Sequence, residues 1–276
     1  VRFKLSIPSF EYIRNKGSVL KPRIHVLAVK DKNKLDEPVI AYIIVERSEN
    51  IKDYQEQGQI YEASICLDYQ IISVGRKSFR MGGSFCGGYS KFRNRVSLSH
   101  AGVSEGAIFL DLNGLEGQRI GSYLMNEIVS WVKKWPDAEV NPIRLSSCQA
   151  TPENKERRNN FYENFGLEFD YADSDKKEGR SKIMKAGDLK ENLKWQENIE
   201  VVEFIPFVEE LMSKVNKQKL DLDMRESSIK RLSKENQLAR DCPIRWGLKW
   251  TWYNNRYNLF ALSIVGLLGF LAWFRF

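Results

Sequence analysis

The sequence predicts an α/β (α+β) fold: a domain on a mixed central sheet, followed by a long helix and a C-terminal transmembrane helix. Three observations predict it. The first hundred residues are dominated by β-branched and aromatic runs. The hydrophobic period then changes, so that Ile120, Tyr123, Leu124, Ile128, Trp131 and Val132 recur at helical spacing. Past residue 188 the chain becomes charged and helical, and it ends in an uncharged apolar run, LFALSIVGLLGFLAWF, at 259–274.

The strand candidates are 23–29 (RIHVLAV), 38–46 (PVIAYIIVE) and 60–72 (IYEASICLDYQII), with a further apolar one at 106–112 (GAIFLDL). A short helix is expected at 9–16. Helix 120–135 stops at Pro136, which lacks the N–H that continuation needs. A short strand at 143–147 precedes a second helix at 152–165. That helix opens with Thr151 as N-cap and Pro152 at its first position, and Gly166 ends it. Strands at 167–171 and 182–185 flank a charged loop at 173–180.

Composition sets bounds. With 276 residues, 42% of them hydrophobic, the chain can bury one sizeable core plus additions. The formal charge of +7 favours an anionic partner, which could be a phosphorylated cofactor, a membrane surface or nucleic acid. Cys66, Cys86, Cys148 and Cys242 show no CxxC pairing, and His25 and His100 stand alone. No metal site and no disulfide framework are therefore expected, and a reducing compartment fits best. Residues 1–20 hold no apolar core long enough for a signal peptide. Segment 75–95 carries five glycines, six Lys or Arg and no acid, with Phe79, Phe85, Tyr89 and Phe92 interleaved. It reads either as a flexible hairpin with a solvated basic tip or as a mobile lip for an anionic substrate or a nucleic-acid backbone.

The order strand, glycine-bearing loop, helix, strand, helix, strand can hold a phosphorylated ligand at the first loop, NGLEGQRIG at 113–121. A helix N-terminus leaves N–H groups unpaired, and small residues let a pyrophosphate approach them. The second segment, NKERRNNFYENFG at 154–166, has an asparagine, a basic helix, then Phe-Tyr-Glu-x-x-Gly and an apolar strand. Together the two segments resemble the acyl-coenzyme-A half of the GNAT superfamily of N-acetyltransferases, over about residues 106–171. The resemblance implies an acetyltransferase that uses acetyl-CoA as acyl donor, needs no metal, and acts on an amine acceptor of unknown class.

Carried over, the family's phosphate motif falls on Glu116, Gly117, Gln118, Arg119, Ile120 and Gly121. Two positions depart from it. Glu116 replaces Gln or Arg, and Arg119 replaces the middle glycine. Cofactor contact is implied for Leu112, Gly117, Gln118, Arg119, Ile120, Gly121 and Ser122, through backbone amides 118–122 and the Ser122 hydroxyl, and for Asn154 beside the pantetheine arm. Tyr162 is implied as the acid that protonates the departing thiolate, since acyl transfer from a thioester must release one. Asp111, on the strand entering the loop, is the nearest candidate base; Cys148 is read as packing. The family places two helices between its first two strands, whereas this chain has only residues 30–37 there. Either the first strand lies at 1–7, or the substrate-side helices are reduced.

Four regions follow: an acyltransferase-like domain at 1–190, a coiled-coil stalk at 191–240, a juxtamembrane segment at 241–258 and an anchor at 259–276. Counting Val208 as heptad position a places Leu211, Val215, Leu222, Ile229 and Leu232 on one seam. Asn236, also at an a position, favours a parallel homodimer; a single amphipathic helix packed on the domain is the alternative. The aromatic cluster at 246–257 and the cations before the apolar run predict a single-pass membrane anchor with the catalytic domain cytoplasmic. A non-catalytic GNAT-like scaffold at the membrane is the competing function.

Overall fold

The computed structural model describes residues 24–53, 60–73, 81–102, 112 and 114–273. The chain divides into two units, one through Val208 and one from Glu209.

The first unit is α+β, on a seven-stranded mixed sheet. Strands β1 (Ile24–Val29), β2 (Ala41–Asp53), β3 (Ile60–Ser73) and β4 (Met81–Ser90) form an antiparallel meander. β5 (Arg95–Ser97) adds antiparallel to β4, and β6 (Glu139–Val140) adds parallel to β5. A second, three-stranded sheet has the order β7 (Arg144–Leu145), β9 (Gly179–Ser181), β8 (Phe169–Tyr171). The remaining strand, β10 (Ile199–Glu203), closes the outer edge of the large sheet by pairing with β1. Strands β9 and β10 were not expected. One lies in the predicted charged loop, the other in the predicted helical stalk, so the folded unit runs well past residue 190. The candidate strand at 182–185 is not a strand.

Helix α1 (Ile120–Val132) lies on the sheet through the stripe its periodicity predicted. Ile120, Leu124, Ile128, Trp131 and Val132 are all essentially inaccessible. Burial of each such side chain stabilises by about 1.5–3 kcal/mol. Polar groups pin the same helix. Arg47 of β2 donates to Glu127 at 2.5 Å and to Glu49 at 2.6 Å, and Glu49 accepts from Trp131 Nε1 at 2.8 Å. Burial pushes the Glu49 carboxyl up, but the hydrogen bond and charge of Arg47 more than offset this, so it is held below its ordinary value.

The described part of the glycine-rich segment is a hairpin, as the first reading had it: β4 and β5 pair antiparallel across an exposed turn at 91–94 that carries Lys91 and Arg93. From Met81 to Ser90 it is regular strand, with Phe85 and Tyr89 buried. Two of the aromatics that suggested a stacking lip, Phe85 and Tyr89, therefore serve the core, whereas Phe92 in the following turn is 97% exposed. Glycine is needed here for close approach: a Cβ at Gly87 would stand 2.6 Å from Ile128 Cγ2 and 3.1 Å from the Ser97 carbonyl. Residues 74–80, with the rest of the basic cluster, lie outside the described residues. So do the candidate helix at 9–16, the alternative first strand at 1–7 and all of 106–111. Between β1 and β2 the described chain makes turns and no helix.

Cys66 and Cys86 face each other across β3 and β4 and form a disulfide. This corrects the expectation that the cysteines do not pair, and it removes that support for a reducing compartment. Spacing in the chain cannot reveal cross-strand opposition, because pairing depends on register.

The second unit contains most of α3 (Phe204–Asp241) and all of α4 (Pro243–Trp273). Among the described residues, no helix is long and apolar enough to cross a membrane. The C-terminal transmembrane helix is therefore corrected, and the membrane localisation that rested on it falls with it. Length and neighbours explain the misreading. Sixteen apolar residues rise only about 24 Å, against about 30 Å of hydrocarbon. The turn of α4 just before them carries Asn254, Asn255, Arg256 and Asn258.

Two measurements check this fold. A thiol reagent should titrate two cysteines per native chain and four after reduction in denaturant; four before reduction would rule out the Cys66–Cys86 bond. Gly87→Val should cost about 1–3 kcal/mol in urea unfolding by overpacking against Ile128.

Candidate functional site

The site begins with the loop that enters α1. Gly117 has φ +78° and Arg119 φ +63°, so both are left-handed. A non-glycine residue there costs about 1–2 kcal/mol. Arg119 is held by its own side chain: Nη1 donates to the Lys194 carbonyl at 2.9 Å and to Glu197 at 2.7 Å. The position that the resembled motif gives to glycine thus demands glycine-like geometry, and arginine meets it through distant partners. The guanidinium is tied through Nη1 to the 194–197 turn.

Gln118 is committed as well. Its Oε1 accepts from the Lys32 N–H at 2.9 Å, its Nε2 reaches Asp31 at 3.4 Å, and its own N–H bonds the Leu115 carbonyl at 3.2 Å. The Asn33 N–H and then Gln118 hold the Asp31 carboxyl below its ordinary range. Asn198, 3% exposed, completes the staple by donating to the carbonyls of Gln118 and Lys30 at 3.1 and 3.0 Å. Both the amide N–H and the side chain of Gln118 are engaged within the protein. The N–H groups of Ile120, Gly121 and Ser122 remain as the first-turn donors, since the first bond across a helical turn runs from the Tyr123 N–H to the Arg119 carbonyl.

The opposite wall is α2 (Lys155–Glu163), shorter at its start than predicted. Asn154, not Thr151, is the N-cap residue, and the Thr151 carbonyl accepts from the N–H of Asn154 and Lys155. Gly166, φ +84°, ends the segment as expected. Arg158 is 8% exposed; it donates to the Ser146 carbonyl at 2.8 Å and the Lys177 carbonyl at 2.9 Å. It ties the chain leaving β7 to the helix. Asn154 Nδ2 donates to the Gln149 carbonyl at 2.8 Å, while its Oδ1 accepts from Arg157 at 2.8 Å.

These walls enclose a cavity of about 640 Å³. Leu112, Gly117, Arg119, Ile120, Gly121 and Ser122 line one side, with Asn154 and Tyr162 on the other. Seven of the eight residues expected to contact a cofactor, and Tyr162, are therefore brought together from segments thirty or more residues apart. Tyr162 is 4% exposed and packs edge-on against Phe161, with Phe169 behind it at 5.6 Å. Asp111 lies outside the described residues.

Several lining residues were missed or misread, Lys32, Arg157 and Cys148 among them. A Cβ on Gly117 would lie 3.5 Å from Lys32 Nζ and 4.0 Å from Arg157 Cδ, so two cationic side chains flank the loop. Arg157 follows Asn154 by three residues, so helical periodicity could have found it. Lys32 comes from the β1–β2 turn and has no local signal. Cys148, read as packing, is exposed and lines the cavity, with Ser146 Oγ 3.1 Å from its sulfur. Glu116 also lines it and accepts from the Gly114 N–H at 2.8 Å, which places a carboxylate beside the cations.

No protein-family model, curated protein or solved structure matches the chain.

Cys148 offers a direct footprint of this cavity. Alkylation of Cys148 should slow at least about tenfold under saturating acetyl-CoA, while the exposed Cys242 reacts unchanged. Equal slowing at both, or at neither, would place the ligand elsewhere.

Proposed function

We propose that the chain is an acetyl-CoA-dependent N-acetyltransferase of the GNAT type that acts on an amine. One observation carries this reading: the donor-rich N-terminus of α1 and the Tyr162 side of α2 open on the same cavity. Acetyl-coenzyme A, when bound, supplies a thioester that an amine can attack. The first-turn amides 120–122 and the Ser122 hydroxyl bind its pyrophosphate, which the helix dipole also favours. Lys32 and Arg157 provide cationic charge. Asn154 is a pantetheine-arm contact, and Tyr162 is the proton donor to the departing sulfur. Aromatic packing on Tyr162 restricts its ring and so fixes the direction of its hydroxyl.

The competing reading is a non-catalytic GNAT-like binding or scaffold module, the membrane element of that idea having fallen with the anchor. Glu116 favours it, because a carboxylate beside the pyrophosphate weakens binding there.

Calorimetry with the full chain separates the two. Acetyl-CoA should bind, and Lys32→Ala and Arg157→Ala should each weaken binding about tenfold. Glu116→Gln should tighten it several-fold. No heat at millimolar ligand would sink the enzyme reading and leave the scaffold. Given binding, Tyr162→Phe should lower kcat about 100-fold against a responsive amine, with affinity for acetyl-CoA nearly unchanged. Binding with no turnover on any amine would leave the non-catalytic module.

A further inference from the structure

Helix α3 carries an uncovered apolar seam, and its flanking charges specify what covers it. None of its 38 residues, all described, is buried. Leu222 is 64% exposed, Ile229 65% and Val215 60%. These residues share the 3–4 spacing that began at Val208. Met212, Leu220, Met224 and Leu238 lie off this stripe, but the continuous 3–4 spacing is the form of a two-stranded seam.

With Val208 at position a, the flanking g positions hold Lys214, Asp221 and Glu235, and the e positions hold Lys219, Glu226 and Arg240. In a parallel pair, each g residue meets the following e residue of the other helix. Lys214 would then face Lys219, and Asp221 would face Glu226, each twice by symmetry. Only Glu235 with Arg240 would attract. Arg225, on the seam at d, would also face its own copy.

Reversing one helix brings g against g and e against e. With the two-fold axis passing between residues 223 and 224, Lys214 meets Glu235 and Lys219 meets Glu226, each twice. No like pair remains among them. Val215 then packs on Leu232, and Arg225 packs on Leu222 with Asp221 beside it. The intrahelical ion pairs Glu210–Lys214 and Glu226–Lys230 compete only for exposed charge. Two features favour the parallel form: Asn236 facing its copy and the Glu235–Arg240 attraction. Like charges placed in contact disfavour an arrangement more reliably than a single polar seam residue selects one.

We propose that α3 is an antiparallel self-association surface, its occupant the same helix of a second copy of this chain. This is independent of the acetyltransferase reading. It reverses the parallel orientation that Asn236 suggested.

Cross-linking of the full chain tests it, in a background with Cys148→Ser and Cys242→Ser. A Val215→Cys chain mixed with a Leu232→Cys chain should form a disulfide-linked pair under mild oxidation, and neither chain should cross-link to itself. Self-cross-linking of either chain, or none in the mixture, would overturn the proposal. Sedimentation supplies a second reading with opposite signs for the two orientations. Lys219→Glu should weaken the dimer about tenfold, and adding Glu226→Lys should restore it. In a parallel pair the first change would tighten association, because the introduced carboxylate would meet Lys214. A monomer at tens of micromolar for the unsubstituted chain would likewise refute the interface.

Discussion

The packing of α1 on the sheet is the constraint on which the rest of the structure depends. The same helix supplies the centre of the core and, at its first turn, the donors of the candidate site. Its hydrophobic face and its polar pins act in one direction. Ile128 settles where Gly87 leaves no side chain, and Arg47 bridges Glu127 of the helix to Glu49 of the strand. A rigid helix therefore presents its N-terminus at a fixed height above the sheet, so first-turn amides need no rearrangement to meet an anion.

The entering loop shows how an arginine is held where the backbone is left-handed. Left-handed backbone at Arg119 is unfavourable for a residue with a side chain, yet three residues of the 194–198 segment engage that guanidinium. Gln118 and Asn198 bind the same loop to the β1–β2 turn. The cost of the arginine is offset by distant hydrogen bonds, and Lys32 and Arg157 flank the loop from other segments.

The two long helices pose the opposite problem, because sequence pattern is plentiful and tertiary contact is scarce. Apolar residues at the C-terminal end suggested a membrane, but the run is short and preceded by polar side chains. The seam on α3 is better determined, since its flanking charges discriminate between two ways of pairing identical helices. Charge order along a helix carries orientation information that hydrophobic spacing alone does not.

Taken alone, the sequence determined what neighbours along the chain decide. It located β1, β3, α1 and the core of α2, the stop at Gly166, and the two segments that converge on the cavity. These follow from periodicity, glycine geometry and capping, which act over a few residues. Tertiary structure decided the rest: the Cys66–Cys86 bond, β10 at the sheet edge, the anchoring of Gln118 and Arg119, and the arrival of Lys32. Each depends on a partner tens of residues away, whose identity is set by strand register and helix placement. No local pattern encodes that, because a side chain's role is fixed by the atom it finally meets.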